Sequence, residues 1–281
     1  MTTTGQTEQD RGRHDADDPE SRQRRETPLW VWQVAFGLGA LAIWEGLSDR
    51  VLDPFFFSSP GRVAGYIYEY VTGGEFLGDL AFSMRAAVTG YLIGAVSGVL
   101  MGFLLSAARK IAEILNPYIL AIYGIPRIAL APLFIVWFGI GIQSKIYMAA
   151  LMAFFLSFFN TYTGVRQVER NYVNIARVAG ASRLDINRKV VLPAASPWII
   201  AGLRISIPYA LVAALVAEFI ASTQGLGYRI ALMSQQFNTT GVMGGVLIIM
   251  LIVLLANLLL DRAEQKILRW QPHRAEDHGG M

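Results

Sequence analysis

Long apolar runs separated by short polar segments make up most of the chain. A helix needs roughly 20 predominantly apolar residues to cross the hydrocarbon core of a bilayer. By this measure the pattern predicts six membrane spans, at residues 29–48, 86–106, 111–142, 146–164, 197–221 and 242–260. We therefore predict an all-α membrane protein with a transmembrane domain over residues 29–270. The polar ends, residues 1–28 and 271–281, are predicted to be tails, the first of them disordered.

Two regions of the pattern are irregular. The third run contains Pro117, Pro126 and Pro132, and proline inside a helix removes a hydrogen bond and kinks or breaks it. One kinked span with a non-helical exit is expected there, and two short spans are the alternative. Residues 49–85 mix aromatic and turn residues, which predicts a non-cytoplasmic loop that carries a short amphipathic helix.

The second predicted span has a glycine at every fourth position, Gly90, Gly94, Gly98 and Gly102. A stripe of small residues lets two helix backbones approach closely, which replaces the hydrophobic driving force that is missing in lipid. We expect this stripe to pack within the chain rather than against a second copy.

Composition excludes several kinds of chemistry. The chain is 54% hydrophobic and only 16% charged, which is too apolar for an ordinary soluble domain. It contains no cysteine, so disulfides, thiolate catalysis and zinc–thiolate sites are excluded. Its histidines, His14, His273 and His278, lie only in the tails. No metal site and no nucleic-acid partner are expected.

Basic residues are distributed unevenly between the two sides of the predicted bundle. With both termini on one side, that side receives most of the arginines and lysines, including those of the tails and of residues 166–189. Cytoplasmic loops carry such an excess. Both termini and the segment between the fourth and fifth spans are therefore predicted to be cytoplasmic.

That cytoplasmic segment is more regular than a simple loop. Apolar positions at helical spacing predict a helix over residues 171–179. Gly180 follows, where a left-handed C-cap is commonly found. Ser182 with Asp185 three residues later is a capping-box arrangement and predicts a second short helix.

Prolines are expected to set the end of this element. Pro193 should stop the second helix, and Ser196 with Pro197 should begin the fifth span as N-cap and first helical residue. The residues alone leave open whether this basic two-helix element contacts anionic lipid headgroups or a protein.

The same segment resembles the EAA loop of binding-protein-dependent ABC transporter permeases. In that family Glu-Ala-Ala is followed by three residues, a glycine, nine residues and Ile-x-Leu-Pro. Here nine residues separate Gly180 from VVLP at residues 190–193. The stretches IPRIALAPLFIVWFGIG and AGLRISIPYALVAALVAEFIASTQGLGYRI resemble the branch that imports nitrate, sulfonates, taurine and related small compounds. The resemblance covers roughly residues 29–270.

The resemblance implies a type I ABC importer permease fold, with six transmembrane helices and a coupling helix between spans 4 and 5. It implies a non-enzymatic transport subunit in the bacterial or archaeal plasma (inner) membrane. The implied partners are two copies of an ATPase subunit that bind ATP and Mg, a substrate-binding protein, membrane lipid and a second permease chain that forms a homodimer. The chain itself has no GxxxxGK[ST] phosphate loop, so no cofactor is expected in it.

The family's docking residues carry over to one stretch of this chain. Asn174 stands where the family has glutamate, so its contact with the ATPase is expected to be a neutral hydrogen bond, weaker than a charge-assisted one. The residues expected to dock are Asn174, Ala176, Arg177, Gly180, Ala181, Ser182 and Arg183.

Two charged residues are candidates for the translocation pathway. Glu218 lies inside the fifth span, where an ionisable group is costly and suggests a functional site. The alternative is a structural carboxylate that is hydrogen-bonded beside the STQGLG turn. Arg127 either meets an anionic solute or pairs with an acidic residue.

A secondary transporter driven by an ion gradient is the alternative function. Such carriers typically show inverted repeats and broken helices around a midplane site, and the sequence shows no internal repeat. An intramembrane hydrolase would need a nucleophile with its base, or a liganded metal, within the spans. The sequence offers neither.

Overall fold

The computed structural model describes residues 29–48, 53 and 55–267, and these residues form an assembly of helices. The predicted tails, residues 1–28 and 271–281, lie outside the described residues. Helix α1, Leu29–Leu47, coincides with the first predicted span and belongs to a unit distinct from the remainder of the chain.

Two helices lie between the first predicted span and the turn near residue 108. Helix α2, Pro60–Thr72, is the predicted short amphipathic helix, and the Ser59 hydroxyl at its N-cap accepts a hydrogen bond from the Arg62 N–H. Helix α3, Glu75–Ala107, begins well before the predicted residue 86. The apolar pattern missed this extension because Glu75 and Asp79 make its first turns polar.

The third predicted span is broken rather than kinked. Helix α4, Arg109–Tyr123, contains Pro117 and ends before residues 124–126. A 3₁₀ segment, Arg127–Leu130, then leads into helix α5, Ala131–Phe138. A non-helical stretch thus interrupts the third predicted span at residues 124–126, because the residue before a proline is biased away from the helical region. Pro132 falls in the first turn of α5, where proline is tolerated.

Four helices of the described part of the chain are long and apolar enough to cross a membrane. They are Glu75–Ala107, Ile142–Arg166, Arg183–Ile220 and Thr239–Leu259. The second is helix α6, Ile142–Arg166, and the last lies within helix α11, Thr239–Ile267. Helix α10, Leu226–Gln235, lies between the last two, where only a turn was predicted.

The segment that was predicted to be cytoplasmic continues directly into the fifth predicted span. Helix α7, Arg170–Val178, is followed by α8, Arg183–Ile186, a π-helical segment, Asn187–Val191, and α9, Leu192–Ile220. From Arg183 to Ile220 the helix is continuous.

The expected breaks at Pro193 and Pro197 are therefore wrong. The Leu192 N–H bonds back five residues to the Asn187 carbonyl, and this wider turn carries the helix into Pro193. Pro197 lies inside α9. The Ser196 hydroxyl donates to the Pro193 carbonyl at 2.9 Å instead of capping a new helix.

Helices α3, α6 and α9 form the centre of the larger unit. The glycine stripe of α3 packs against the α6 backbone, since a Cβ at each of its four glycines would lie within 2.7 Å of a carbonyl oxygen. The prediction that the stripe packs within the chain is confirmed. The facing carbonyls belong to Ile146, Ala150, Phe154 and Phe158.

Small residues also bring α6 and α9 together. Gly202 of α9 lies against Asn160, and Gly164 of α6 lies against Trp198. Around this centre, α2, α10 and α11 cover one common apolar cluster, to which they contribute Tyr70, Leu226 and Ile248.

Substitution of Gly94 by alanine should destabilise the protein, because the new methyl group would overlap the Ala150 carbonyl. Overpacking of this kind costs about 1–3 kcal/mol. Gly78 is the matched control, since it lies in the same helix and a Cβ there meets nothing within 4 Å. Gly78→Ala should be neutral or slightly stabilising. Thermal unfolding of the two variants in detergent measures the difference, and equal midpoints would contradict the packing role.

Candidate functional site

The turn after α7 has the geometry of a Schellman motif. Gly180 adopts a left-handed conformation with φ of 80°. Its N–H donates to the Arg177 carbonyl, and the Ala181 N–H donates to the Ala176 carbonyl, both at 3.0 Å. These are the 5→2 and 6→1 bonds that close a helix end. The predicted left-handed cap is confirmed, and it fixes the direction in which the chain leaves α7.

The predicted capping interaction at the start of α8 is also present. The Ser182 Oγ accepts a hydrogen bond from the Asp185 N–H at 3.2 Å, and the Ser182 hydroxyl lies 2.5 Å from Asp185 Oδ2. Lys189 forms an ion pair with Asp185 at 2.9 Å. Backbone bonds thus close the end of α7, and local side-chain bonds close the start of α8.

The candidate docking residues divide into two groups. Asn174 and Arg177 share the polar face of α7, and both are exposed, as is Arg183 at the start of α8. Ala176 and Ala181 are half-buried partners of the Schellman bond. The second group, which also contains the two cap residues Gly180 and Ser182, shapes the loop, whereas the first group presents polar side chains at its surface.

Apolar side chains are exposed on the same element. The side chain of Val178 is 90% exposed and that of Leu184 is 77% exposed, although both are apolar. A shallow cleft runs between α7 and the start of α9, and it is lined by Tyr172, Ile175, Ala176, Lys189, Val190, Pro193 and Ala194. A mixed basic and apolar surface of this kind fits a protein partner better than headgroups alone.

Arg127 lies at the broken third span, in contact with α6. Its guanidinium carbon is 5.2 Å from the centre of the Phe155 ring, a cation–π distance, and Nη1 is 4.0 Å from Met152 Sδ.

Glu218 is fully buried near the end of α9. Its Oε2 accepts hydrogen bonds from the Ser83 hydroxyl at 2.8 Å and from the Gly227 N–H at 3.0 Å. A Cβ on Gly225 would overlap this carboxylate. The geometry favours the structural alternative for Glu218 over a role in the pathway.

Glu218, its partner Ser83 and the nearby Asp79 together cap the first turn of α10. The N–H groups at the start of a helix have no partner within the helix, and they attract negative charge. Asp79 accepts from the Gly225 N–H, and Ser83 accepts from the Leu226 N–H, both at 2.9 Å. Glu218 accepts from the Gly227 N–H, so side chains of α3 and α9 accept hydrogen bonds from three consecutive backbone N–H groups.

Asp79 also links α10 to α2. The Tyr70 hydroxyl donates to Asp79 Oδ2 at 2.7 Å, and Arg229 pairs with both Asp79 and Glu75. Burial and the hydrogen bond to Asp79 raise the pKa of the Tyr70 hydroxyl well above its usual range. Tyr70 therefore remains a donor at any physiological pH.

Sequence reasoning did not identify Ser83, Asp79 or Lys145 as members of this site. Lys145 is fully buried at the start of α6, and its ammonium donates to backbone carbonyls. The position of these polar residues within the mainly apolar helices α3 and α6 could have identified them from the sequence. Among the described residues, no group of histidine, aspartate and glutamate side chains could hold a metal ion.

Comparison with known proteins gives the class and then the family. The fold is that of an ABC importer permease: it matches a chain of the inward-facing MetNI methionine ABC transporter with a TM-score of 0.59 at 19% identity, covering 69% of this chain and 95% of that one. Residues 76–269 match the model of the binding-protein-dependent transport system inner membrane component. The chain belongs to this family.

Curated relatives agree with this membership. The aliphatic sulfonates transport permease protein SsuC of Bacillus subtilis is 34% identical over 86% of this chain and 83% of its own length. The formylaminopyrimidine transport permease protein ThiX of Halalkalibacterium halodurans is 29% identical over 84% and 94%. The chain is a translocation subunit of an ABC importer, so the alternative of an ion-gradient carrier is set aside.

Substitution of Ser83 by alanine should lower the free energy of unfolding by about 1–3 kcal/mol, because it leaves the buried Leu226 N–H without an acceptor. Ser97→Ala is the matched control in the same helix. The Ser97 hydroxyl donates only to carbonyls of its own helix, on an exposed face, so its loss should cost within about 0.5 kcal/mol. If thermal unfolding midpoints of the two variants agree, Ser83 does not support α10.

Proposed function

We propose that α7, the Gly180 turn and α8 are the coupling element that docks onto the ATPase subunit. Arg177, Asn174 and Arg183 supply the polar contacts, and the exposed Val178 and Leu184 supply apolar ones. The Schellman bonds and the Ser182 cap support this role, because a lever has to hold its shape while it transmits force.

The observation that carries the proposal is the continuous helix from Arg183 to Ile220. At 1.5 Å per residue its length is roughly 57 Å, which exceeds the thickness of the hydrocarbon core. A displacement imposed on α8 by an ATPase is therefore delivered to the opposite end of the span without an intervening loop.

The family membership supports the remaining parts of the assembly. We propose two ATPase copies that bind ATP and Mg and carry out hydrolysis, a substrate-binding protein, and a second copy of this chain. The chain itself performs transport and no catalysis. Six crossings are proposed, by α1, α3, the broken pair α4 and α5, α6, α9 and α11, in the bacterial or archaeal plasma membrane with both termini in the cytoplasm.

The proposed cargo is a small compound of the sulfonate, nitrate or taurine type. The resemblance to the sulfonate permease supports this class, and Arg127 offers a cationic group beside Phe155 that suits an anionic solute. Direct binding of candidate solutes to the cognate binding protein, followed by uptake into proteoliposomes, tests the class.

Substitution of Gly180 by valine should uncouple ATP hydrolysis from uptake. A side chain in the left-handed region costs roughly 1–2 kcal/mol, and more when β-branched, so the turn should change direction and re-aim α8. Gly180→Asn is the matched control, because asparagine tolerates this conformation and a Cβ here meets nothing within 4 Å.

The readout is ATP-dependent uptake in proteoliposomes alongside ATP hydrolysis by the assembled transporter. We expect Gly180→Val to lose most of its uptake while Gly180→Asn retains it. Normal uptake by the valine variant would overturn the coupling role of the loop.

The proposed orientation predicts which side of the membrane each loop faces. Because the chain has no cysteine, single cysteines at Leu184 and Thr223 can be labelled selectively, and both positions are exposed. A membrane-impermeant maleimide added to intact cells should label Thr223→Cys and not Leu184→Cys. The reverse pattern would contradict the proposed topology.

A further inference from the structure

A buried lysine joins the ends of two helices on the side of the bundle opposite the coupling loop. Lys145 lies in the first turn of α6 with 0% of its surface exposed. Its Nζ donates to the carbonyl oxygens of Ile140 and Ala221, each at 2.6 Å. Ile140 follows the end of α5, and Ala221 is the C-cap residue of α9.

The chemistry of helix ends explains this arrangement. The last carbonyls of a helix have no partner within the helix, and that end carries partial negative charge. An ammonium group offers three donors, so one lysine bonds the carbonyl at the C-cap of α9 and also the Ile140 carbonyl in the short linker between α5 and α6. Burial of a charge is costly unless it is paired and hydrogen-bonded. Here the charge has two hydrogen-bonded carbonyl partners, and Glu218, which is also fully buried, lies one turn before Ala221.

Apolar packing reinforces the same junction. Ala131 and Phe134 of α5 contact Met148 of α6 and Ala217 of α9 in one cluster, in which Ala131, Met148 and Ala217 are completely buried. The apolar cluster thus joins α5 to the end of α9, and Lys145 adds hydrogen bonds to the linker after α5 and to the last residue of α9, although about 80 residues separate α5 and α9 along the chain.

We propose that Lys145 is a positioning residue that makes α5 move together with α9 during transport. Because α9 continues from the coupling element, its far end should displace when α8 displaces. Lys145 passes that displacement to α5 and to the adjoining Arg127 segment, which borders the solute path. The proposal deepens the proposed function and rests on it for the movement of α9.

The long, flexible stem of lysine suits this role. Its ammonium is a compact donor with rotatable bonds, so both carbonyls stay bonded while the two helix ends rotate together. A shorter polar side chain placed at the start of α6 would have to release one carbonyl.

Spin-label distances test the proposal in the intact transporter, reconstituted in lipid with its ATPase and binding protein. Cysteines replace Val136 of α5 and Thr223 of the α9–α10 turn, both exposed, in a chain without native cysteine. Dilution with unlabelled chain restricts the signal to pairs within one chain. We expect the same distance in the nucleotide-free and ATP-trapped states. A distance that changes between the two states would overturn the proposal, whether or not any variant folds.

Lys145→Met and Lys145→Arg supply the functional comparison. Methionine keeps an unbranched side chain that is one heavy atom shorter, and it leaves both carbonyls without their donor. Uptake per ATP hydrolysed should fall about tenfold or more, and the 136–223 distance should broaden or differ between states. Arginine retains donors for two carbonyls and should restore much of the coupling. Unchanged coupling in Lys145→Met would overturn the proposal.

Failure of this inference can be separated from failure of the proposed function. Labels at Leu184 of both permease chains, without dilution, should change their separation when ATP is trapped, because they report the coupling element itself. If that separation stays constant, the docking proposal fails. If it changes while the 136–223 distance in the parent also changes, only the role of Lys145 fails.

Discussion

The close approach of two helix backbones, α3 and α6, is the constraint on which the rest of the larger unit depends. In lipid, apolar side chains gain little by leaving their surroundings for one another, so helices associate through packing and polar contacts. Gly94 and its three stripe partners remove the side chains that would hold α3 away from the α6 carbonyls. With that distance fixed, Ser83 and Asp79 reach the start of α10, and α6 brings Lys145 to the ends of α5 and α9.

Charged side chains lie at both helix ends that meet in the α9–α10 turn. The cation Lys145 lies at the C-terminal end of α9, and the carboxylates Asp79 and Glu218 lie at the N-terminal end of α10. At these contacts Lys145 faces the negative end of α9, and the two acidic side chains face the positive end of α10. The turn therefore contains buried ionisable groups, and its order depends on donors and acceptors from several helices.

Local rules predicted the parts of this fold that are local in sequence. The left-handed Gly180, the Ser182 cap, the amphipathic α2 and the apolar runs each depend on residues a few positions apart. The predictions failed where the structure depends on contacts that the local pattern of apolar and polar residues does not contain. Polar Glu75 and Asp79 continue α3 because α10 and α2 pair with them, and Pro193 lies in a continuous helix because a π turn precedes it. Ser83 and Glu218 meet across 135 residues, a pairing that no spacing rule reveals.

The π segment sets the rotation of α7 and α8 about the axis of the long helix α9. Each α-helical residue turns the chain by about 100°, so one residue more or less within Asn187–Val191 would rotate α7 and α8 by that angle about the axis of α9. The side chains of α8 would then point away from any surface they now fit, although every span stayed intact. The length of this segment, five residues, therefore sets the direction in which α8 points relative to the long helix α9.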